Sequence, residues 1–313
     1  YLNYRYNNHN ILLEGRSMKI IDLLHKRPTL SFEIFPPKNY DGDISSIYQT
    51  IDELSKLKPD FISVTYGAGG STTKNTVEIA SKIKNDYNIE AVAHLSCIDT
   101  SPKQLTKIIN ALKENKIENI LALRGDYPKD YDPKNTCHYF KYASELNEFI
   151  TKNYPDTFCL SGACYPEVHQ EATSLENDLD ALKKKVDAGA QYLITQIFFD
   201  NNYYYRLLRE ARIKGINVPI IAGIMPATNS KSLLKIAKLS GSNIPYNLSA
   251  MIERFKNNPK AMKEVGINYA VYQIIDLITN GVEGIHIYTM NRPEIAKEII
   301  ARTDNILKEF IND

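Results

Sequence analysis

The sequence has few cysteines, almost no net charge and no long apolar run. Its 38 Lys and Arg residues balance 37 Asp and Glu residues, so it lacks the basic character that favours binding to nucleic acid or to an anionic membrane. No apolar run approaches the roughly 20 residues of a transmembrane helix. The cysteines lack CxxC spacing and predict reduced, mostly buried thiols in a cytoplasmic protein; they are Cys97, Cys137, Cys159 and Cys164.

The motifs of several common enzyme classes are also missing. The glycine-rich segment 67–74 lacks the spacing of the dinucleotide fingerprint and of the phosphate loop, and we interpret it as a loop whose backbone can approach a flat ligand. His94 and His169 have no partner at metal-ligand spacing, so no metal site is predicted. Without a Gly-x-Ser-x-Gly elbow, acyl transfer through a serine nucleophile has little support.

Eight short runs rich in β-branched and aromatic residues alternate with segments of helical apolar spacing. The runs cover residues 29–35, 61–67, 90–96, 119–125, 159–165, 192–198, 219–225 and 284–290. This alternation predicts βαβ units and a parallel sheet. Eight units fit a (β/α)8 TIM barrel, which typically takes about 250 residues. Two further helices are predicted before the last strand, at 248–257 and 258–280, where they would shape the barrel mouth or make a subunit contact.

The first 17 residues are rich in Tyr and Asn and lack the charged and apolar regions of a signal peptide. We expect residues 1–17 to be a segment added for expression or a disordered leader, and Met18 to be the native start. No linker or shift in composition follows Met18. Residues 18–313 are therefore predicted to form a single catalytic (β/α)8 domain.

Polar residues capable of chemistry stand at or just after the ends of the predicted strands. In a (β/α)8 barrel these carboxyl ends form the active-site face. Alternation along the first strand puts Ser31 and Glu33 on one face and apolar Phe32 and Ile34 on the other, so Glu33 should point into the barrel mouth. Any one such residue could simply be a hydrogen-bonded side chain at a strand end. The set predicts a catalytic rim of Glu33, Thr65, His94, Arg124, Asp126, Tyr165, Gln196 and Arg292.

Eight short motifs occur in the order in which one enzyme family carries them. They are SFEIFPP from residue 31, VTYGAGG from 64, HLSC from 94, LRGD from 123, YPEVH from 165, KVDAGA from 185, TQIFFD from 195 and YTMNR from 288. The sequence therefore resembles the bacterial type of 5,10-methylenetetrahydrofolate reductase from residue 18 to its end. The resemblance implies a barrel with tightly but non-covalently bound FAD. It also implies ping-pong hydride transfer from NADH or NADPH through the flavin, which yields 5-methyltetrahydrofolate for methionine synthesis.

The resemblance also assigns roles to residues. Glu33 corresponds to the general acid that protonates the N10 side of the folate so that its five-membered ring opens. Burial near an apolar strand end would favour the protonated carboxyl group that this role needs. Asp126, Gln196 and Arg292 correspond to substrate-binding residues. The positions that correspond to flavin contacts are Thr65, His94, Leu123, Arg124, Gly125, Asp126, Tyr142, Ala143, Tyr165, His169, Asp178, Lys184 and Lys185.

Some features leave the function open. Ile236 stands where some relatives have an aromatic residue against the nicotinamide, and only the bacterial resemblance favours NADH and a homo-oligomer. A flavin-free pterin-binding barrel, such as a methyltransferase, would share Asp126 and Gln196. A flavin barrel of the proline dehydrogenase type would have no use for a protonated Glu33. The polar rim argues against a non-catalytic scaffold.

Overall fold

Strands and helices alternate along the chain and close into a barrel. The computed structural model describes residues 18–37, 45–66, 73–98, 100–126 and 139–312. Each strand runs parallel to the next, and the eighth pairs with the first. The predicted (β/α)8 barrel is confirmed. Its strands are β1 Thr29–Ile34, β2 Phe61–Val64, β3 Glu90–Ser96, β4 Asn119–Leu123, β5 Cys159–Cys164, β6 Ala190–Thr195, β7 Ile220–Ile224 and β8 Gly284–Tyr288.

The helices pack around this barrel, and several begin at a residue whose side chain caps the first turn. Ser101, for example, accepts from the backbone N–H of Gln104 in a capping box. The predicted extra helices before the last strand are present as α9 and α10. The helices are α1 Ile20–Leu24, α2 Ser45–Ser55, α3 Thr73–Asp86, α4 Pro102–Glu114, α5 Ala143–Asn153, α6 Leu175–Asp187, α7 Asn201–Ile213, α8 Ser230–Ser240, α9 Tyr246–Phe255, α10 Pro259–Thr279 and α11 Pro293–Asn312.

The short helix α1 closes the amino-terminal end of the barrel. Its Ile20 and Ile21 pack against side chains that point into the lower half of the barrel, including Phe61 and Tyr192. The backbone N–H of Ile20 donates to Oδ1 of Asn119 at 2.8 Å. This bond satisfies one of the amide groups that the first turn of a helix leaves without a partner. The floor of the barrel is therefore apolar and sealed.

The alternation predicted for the first strand is confirmed, and the second strand repeats it. Phe32, Ile34, Ile62 and Val64 are fully buried in the layer between the strands and the helices. Glu33 has the opposite parity and points into the upper half of the barrel. Facing the helices with apolar side chains leaves the polar positions of each strand for the mouth.

A second apolar cluster attaches α8 and α9 to the carboxyl ends of β6 and β7. Ile197 and Phe199, just after β6, pack with Met225 after β7 and with Leu233 and Leu248 of the two helices. The strand predicted at 192–198 therefore ends earlier, at Thr195. The apolar residues that follow it pack against α8 and α9 instead of extending the strand. We call this apolar cluster the seat of the two helices.

Two further predictions concern membrane-spanning helices and cysteines. Within the described ranges, no helix has the length and apolar character needed to cross a membrane. Cys97, Cys159 and Cys164 are buried free thiols, as predicted. Cys137 lies outside the described residues.

Candidate active site

Glu33 lies at the centre of a buried polar cluster in the barrel mouth. Its side chain is 8% exposed, and its Oε2 accepts a hydrogen bond from Oγ of Ser63 at 3.3 Å. Two imidazole nitrogens approach the same oxygen, Nε2 of His94 at 3.4 Å and Nε2 of His286 at 3.5 Å. A carboxyl group in so little water is costly unless it is paired, protonated or functional. The geometry brings the predicted acid together with the predicted His94.

Ser31 and His286 support this cluster from below. Nδ1 of His286 lies 2.8 Å from Oγ of Ser31, and its ring stacks on Phe61 with the centroids 6.0 Å apart. The prediction from strand ends missed His286 because it stands in the middle of β8. Alternation would have found it, since Ile285 and Ile287 face the helices and the residue between them must face inward.

His94 has a buried ring nitrogen without a hydrogen-bond partner. Although Nε2 lies 3.4 Å from the Glu33 carboxylate, the two groups are not aligned for a hydrogen bond, and Nε2 has no other partner. Burial lowers the pKa of His94, and this desolvation outweighs the opposing attraction of Glu33; His286 lowers the pKa further. The ring is therefore neutral near pH 7 and can offer a hydrogen bond to a ligand.

This lowered pKa predicts sensitivity to mild acid. An unfolded chain protonates a histidine near pH 6.5, but the fold keeps the His94 ring neutral to lower pH. The unfolded state then binds more protons, so the free energy of unfolding should fall as the pH drops below about 6.5, by up to about 1.4 kcal/mol per pH unit, until the folded-state pKa is reached. Denaturant titrations between pH 5 and 7.5 give the free energy of unfolding at each pH. We expect this free energy to fall less steeply with decreasing pH in His94→Asn than in the wild type. An equal pH dependence in the two proteins would contradict the lowered pKa of His94.

The connection after β8 holds the end of β1 in place. Oγ1 of Thr289 donates to the carbonyl of Glu33 at 2.7 Å. Asn291 makes two bonds to the backbone of Phe35: its Oδ1 accepts from the N–H at 2.9 Å and its Nδ2 donates to the carbonyl at 2.8 Å. Thr65 also contributes, because its N–H donates to the Ile34 carbonyl at 3.1 Å. The backbone that carries the Glu33 side chain is thereby fixed on both sides.

Tyr288 forms the next part of the wall. Its hydroxyl donates to the carbonyl of Thr195 at 2.7 Å, and its ring lies against Gly223, where an added Cβ would stand 2.6 Å from Cε2 of Tyr288. Burial raises the pKa of Tyr288 well above its usual value, and the nearby Glu33 adds to this effect. The phenol is therefore a neutral, fixed group.

Arg124 and Gly125 follow β4 in a tight turn. The Arg124 guanidinium makes a two-pronged pair with Glu171, with Nη1–Oε2 at 2.5 Å and Nη2–Oε1 at 2.7 Å. The Arg124 carbonyl accepts from Oγ of Ser96 at 2.8 Å. Gly125 has a φ of +87°, and an added Cβ would stand 2.0 Å from the same Ser96 oxygen. Only glycine fits here without displacing its neighbour.

The buried Cys97 links the turn of Arg124 and Gly125 to the start of α5, where Tyr142 and Ala143 lie. The Sγ of Cys97 lies 3.8 Å from the Arg124 carbonyl and 3.7 Å from the Tyr142 carbonyl. Tyr142 stands at the N-terminus of α5 and is exposed, whereas Ala143 is buried. Leu123 lies one residue before Arg124 and packs on the apolar interior of the barrel. Burial raises the pKa of Cys97 to about 11, so the thiol bridges the two turns without being reactive.

The loop after β5 gathers another group of predicted cofactor residues. The rings of Tyr165 and His169 meet edge to face with centroids 4.5 Å apart, and the N–H of His169 donates to Oδ2 of Asp178 at 2.9 Å. Lys185 is turned toward the barrel, where its Nζ donates to the Ala163 carbonyl at 2.5 Å. Burial lowers the pKa of Lys185, which opposes the attraction of Asp178.

Four predicted residues sit nearer to solvent. Asp126 and Lys184 are exposed, and Gln196 is half-buried at the end of β6. The N–H of Gln196 donates to the Cys164 carbonyl at 2.7 Å, so its position is fixed by the neighbouring strand. Arg292 contacts Glu294 at 3.0 Å and Oγ1 of Thr228 at 3.2 Å. Asp126, Gln196 and Arg292 follow strand ends at the rim, outside the buried cluster, whereas Lys184 lies in the last turn of α6, away from the rim.

Nowhere in ranges 18–37, 45–66, 73–98, 100–126 and 139–312 do three His, Cys, Asp or Glu side chains come together as ligands. The buried carboxyl and imidazole groups at the carboxyl ends of the strands define a (β/α)8-barrel enzyme.

Comparison with known families places the chain within that class. The family model described as methylenetetrahydrofolate reductase matches residues 17–304. The chain belongs to the methylenetetrahydrofolate reductase family.

Individual relatives agree with this placement. The chain is 40% identical over 276 residues to 5,10-methylenetetrahydrofolate reductase of Pectobacterium carotovorum, covering 88% of this chain and 90% of the relative. It is 36% identical over 289 residues to methylenetetrahydrofolate reductase (NADH) 1 of Arabidopsis thaliana, covering 88% of this chain and 49% of that protein. The chain thus spans about half the length of this plant relative and most of the length of the bacterial one.

A solved structure shares the fold. An uncharacterised protein from Clostridium thermocellum, which binds two copies of 5-methyl-5,6,7,8-tetrahydrofolic acid, superposes with a TM-score of 0.60 at 15% identity. The match covers 92% of this chain and 99% of that one. At this identity the likeness concerns the fold alone.

Proposed function

We propose that the protein reduces 5,10-methylenetetrahydrofolate to 5-methyltetrahydrofolate, using a reduced nicotinamide and bound FAD. The observation that carries the proposal is the buried Glu33 carboxyl group, 3.3 Å from Ser63 and flanked by two imidazoles in the barrel mouth. Family membership supports the same reaction, since the bacterial relatives carry that name. A bound flavin would accept hydride from the nicotinamide and deliver it to the folate.

Glu33 supplies the proton that the folate half of the reaction needs. The methylene carbon bridges two nitrogens of a five-membered ring and accepts hydride only after the bond to N10 opens. Proton transfer from Glu33 to N10 breaks that bond and leaves an iminium ion on the folate. Ser63 donates to Oε2, and the connection after β8 fixes the backbone, so the carboxyl group stays aimed into the mouth.

The residues around the barrel mouth fit a flavin dinucleotide. The unpartnered Nε2 of His94 can donate to a ring oxygen or nitrogen at the mouth. Arg124 and Lys185 supply positive charge for a pyrophosphate. His169 and Asp178 can hydrogen-bond a ribose or an adenine. Thr65, Leu123, Gly125, Asp126, Tyr142, Ala143, Tyr165 and Lys184 complete the proposed set.

The folate would lie against the rim. Gln196 offers both a donor and an acceptor to a pterin edge. Asp126 can accept from the amino-pyrimidine group, and its negative charge disfavours reduced, anionic flavin. Arg292 lies beside the N-terminal end of α8, where it can hold a carboxylate of the folate or a phosphate of the nicotinamide substrate.

NADH is the proposed reductant. Two plant relatives bear NADH in their names, and the bacterial resemblance points the same way. Ile236 of α8 is half-buried against the apolar seat of that helix and can cover a nicotinamide ring, although an aliphatic side chain lacks the quadrupole that favours stacking. We further propose a cytoplasmic homo-oligomer whose product supplies methyl groups for methionine synthesis.

Glu171 should weaken FAD binding. It occupies both prongs of the Arg124 guanidinium at 2.5 and 2.7 Å, and its hydrogen bonds to Arg124 lower the pKa of Glu171, so it is anionic at neutral pH. A pyrophosphate would have to share or displace it. We expect Glu171→Gln to lower the FAD dissociation constant about three- to tenfold, as befits a partly exposed ion pair.

Fluorescence titration of the apoprotein with FAD measures this effect. Glu294→Gln is the control, because Glu294 also pairs with an arginine, through one contact with Nε of Arg292 at 3.0 Å, but lies on the proposed substrate side. Weaker FAD binding by Glu171→Gln would mean that Glu171 holds Arg124 in position.

An anaerobic absorbance experiment tests the proposed reaction. Protein loaded with FAD is reduced by NADH and then mixed with methylenetetrahydrofolate. Bleaching followed by recovery of the oxidised spectrum is expected. Failure to bind or reduce flavin would favour the flavin-free pterin enzyme, and bleaching without recovery would remove folate as the acceptor.

A further inference from the structure

We propose that Glu167 and Asn243 couple the cofactor loop to the α8–α9 segment, residues 230–255, so that this segment positions the flavin site. The cofactor loop is defined as residues 165–174, between β5 and α6. The inference rests on the proposed function, since the cofactor loop carries Tyr165 and His169. Glu167 and Asn243 are positioning residues, because neither belongs to the proposed catalytic or binding set.

The cofactor loop is irregular and is fixed by hydrogen bonds within it and to other segments. Its ten residues contain neither a strand nor a helix. Val168 has a φ of +79°, a conformation that is strained for a β-branched residue. Such a backbone persists only where its surroundings fix it. The strained residue stands between Glu167, which makes the coupling contact, and His169, which faces the proposed cofactor.

The contact itself is a short two-donor pair. Oε2 of Glu167 accepts from the backbone N–H of Asn243 at 2.9 Å and from its Nδ2 at 2.5 Å. Glu167 is half-buried, and its Oε1 is buried without a hydrogen-bond partner. The partners are 76 positions apart in sequence. The contact therefore joins two separate βα connections and not neighbours within one loop.

A second contact joins the same two parts. Nε2 of Gln170 donates to the carbonyls of Lys238 at 3.3 Å and Leu239 at 3.0 Å. These carbonyls belong to the last turn of α8, which has no partner for them within the helix. Gly241 has a φ of +74°, and an added Cβ would stand 2.8 Å from Gln170. The cofactor loop thus also covers the end of α8.

The α8–α9 segment is packed firmly enough to serve as an anchor. Oγ of Ser242 donates to the Ile197 carbonyl at 2.8 Å, next to Asn243. Leu233, Leu248 and Ile252 bury the inner faces of α8 and α9 in the apolar seat above β6 and β7. The same helix α8 carries Ile236 beside the proposed nicotinamide position. The α8–α9 segment would therefore fix the flavin loop and the substrate wall as one unit.

Double-variant analysis tests the coupling. FAD affinity is measured by fluorescence titration for the wild type, Glu167→Ala, Asn243→Ala and the pair together. Glu167→Ala removes both hydrogen bonds and should raise the FAD dissociation constant about tenfold, which corresponds to about 1.4 kcal/mol. Asn243→Ala removes only the bond from Nδ2 and keeps the backbone bond, so its effect should be smaller but measurable. The double variant should be no weaker than Glu167→Ala, because no bond between the two residues is left for the second substitution to remove. The melting temperature of each apoprotein is recorded in parallel.

Two controls separate positioning from a general loss of structure. Glu167→Gln should retain wild-type affinity, because its amide oxygen can accept both bonds from Asn243. Glu253→Ala removes an exposed carboxylate of α9 that pairs with nearby Lys256 and should leave affinity unchanged.

The outcomes distinguish this inference from the proposed function. If the wild type binds FAD and the single variants bind it equally well, the coupling is wrong and the flavin assignment stands. Additive losses in the double variant would also overturn the coupling. If the wild type itself does not bind FAD, both the proposed function and this inference are wrong.

Discussion

Glu33→Gln will abolish folate reduction while NADH still reduces the flavin. The amide has nearly the same shape as the carboxyl group, so the mouth keeps its packing, but it has no proton to give to N10. Loss of a positioned general acid typically costs about 10² to 10⁴ in rate. Hydride transfer from nicotinamide needs no such proton. Stopped-flow absorbance measures the two half-reactions separately, with the reductive step expected within about twofold of the wild type.

Ser63→Ala provides the matched control for this result. It removes the hydroxyl that donates to Oε2 at 3.3 Å but leaves the carboxyl group in place. We expect a loss of about tenfold in the folate step, typical of one hydrogen bond to a carboxyl group. Equal losses in both half-reactions of Glu33→Gln would make Glu33 a structural residue and would remove the acid mechanism.

The second large effect is expected at Gly125. Alanine there would adopt an unfavourable φ of +87° and place its Cβ 2.0 Å from Oγ of Ser96. Because that hydroxyl bonds to the Arg124 carbonyl, the clash displaces the turn that carries Arg124 and Asp126. We expect Gly125→Ala to lose about 2–4 kcal/mol of unfolding free energy. Its FAD affinity should fall about 100-fold, which corresponds to about 2.7 kcal/mol.

Gly281→Ala isolates the backbone part of this effect. Gly281 has a similar φ of +74°, but an added Cβ meets nothing within 4 Å. It should cost about 1 kcal/mol and leave FAD binding unchanged. A Ser96→Ala substitution in the Gly125→Ala background should restore part of the affinity. Denaturant titrations and the flavin absorbance of the purified variants measure both quantities. Full flavin retention by Gly125→Ala would contradict the assigned role of this turn.

The fold could be predicted from the sequence because its local signals agree with its global pattern. The strands alternate with amphipathic helices, and each strand core was found within a few residues of its observed position. β6 was the least accurate, since Ile197 and Phe198 have the composition of a strand. Their burial against helices, which no periodicity reports, ends the strand at Thr195. Helix α1 was missed because its five residues are too few to establish a helical period.

The site was only partly accessible to sequence reasoning. The rule that barrel chemistry lies at strand ends found Glu33 and His94, which meet at 3.4 Å. It could not find His286 in mid-strand. The pairs Arg124–Glu171 and Glu167–Asn243 each join segments far apart in sequence, and such contacts leave no local pattern. The roles of the cofactor and substrate residues stay predictions that the experiments above can test.

The closed floor of the barrel bears on the order in which ligands could bind. Ile20 and Ile21 cover the end opposite Glu33 together with Phe61 and Tyr192, so among the described residues the mouth is the open end of the central space. Under the proposed function, both bulky substrates would then use the same entrance. The oxidised nicotinamide would have to leave before the folate could bind. Alternate binding would follow from the closed floor as well as from the flavin chemistry.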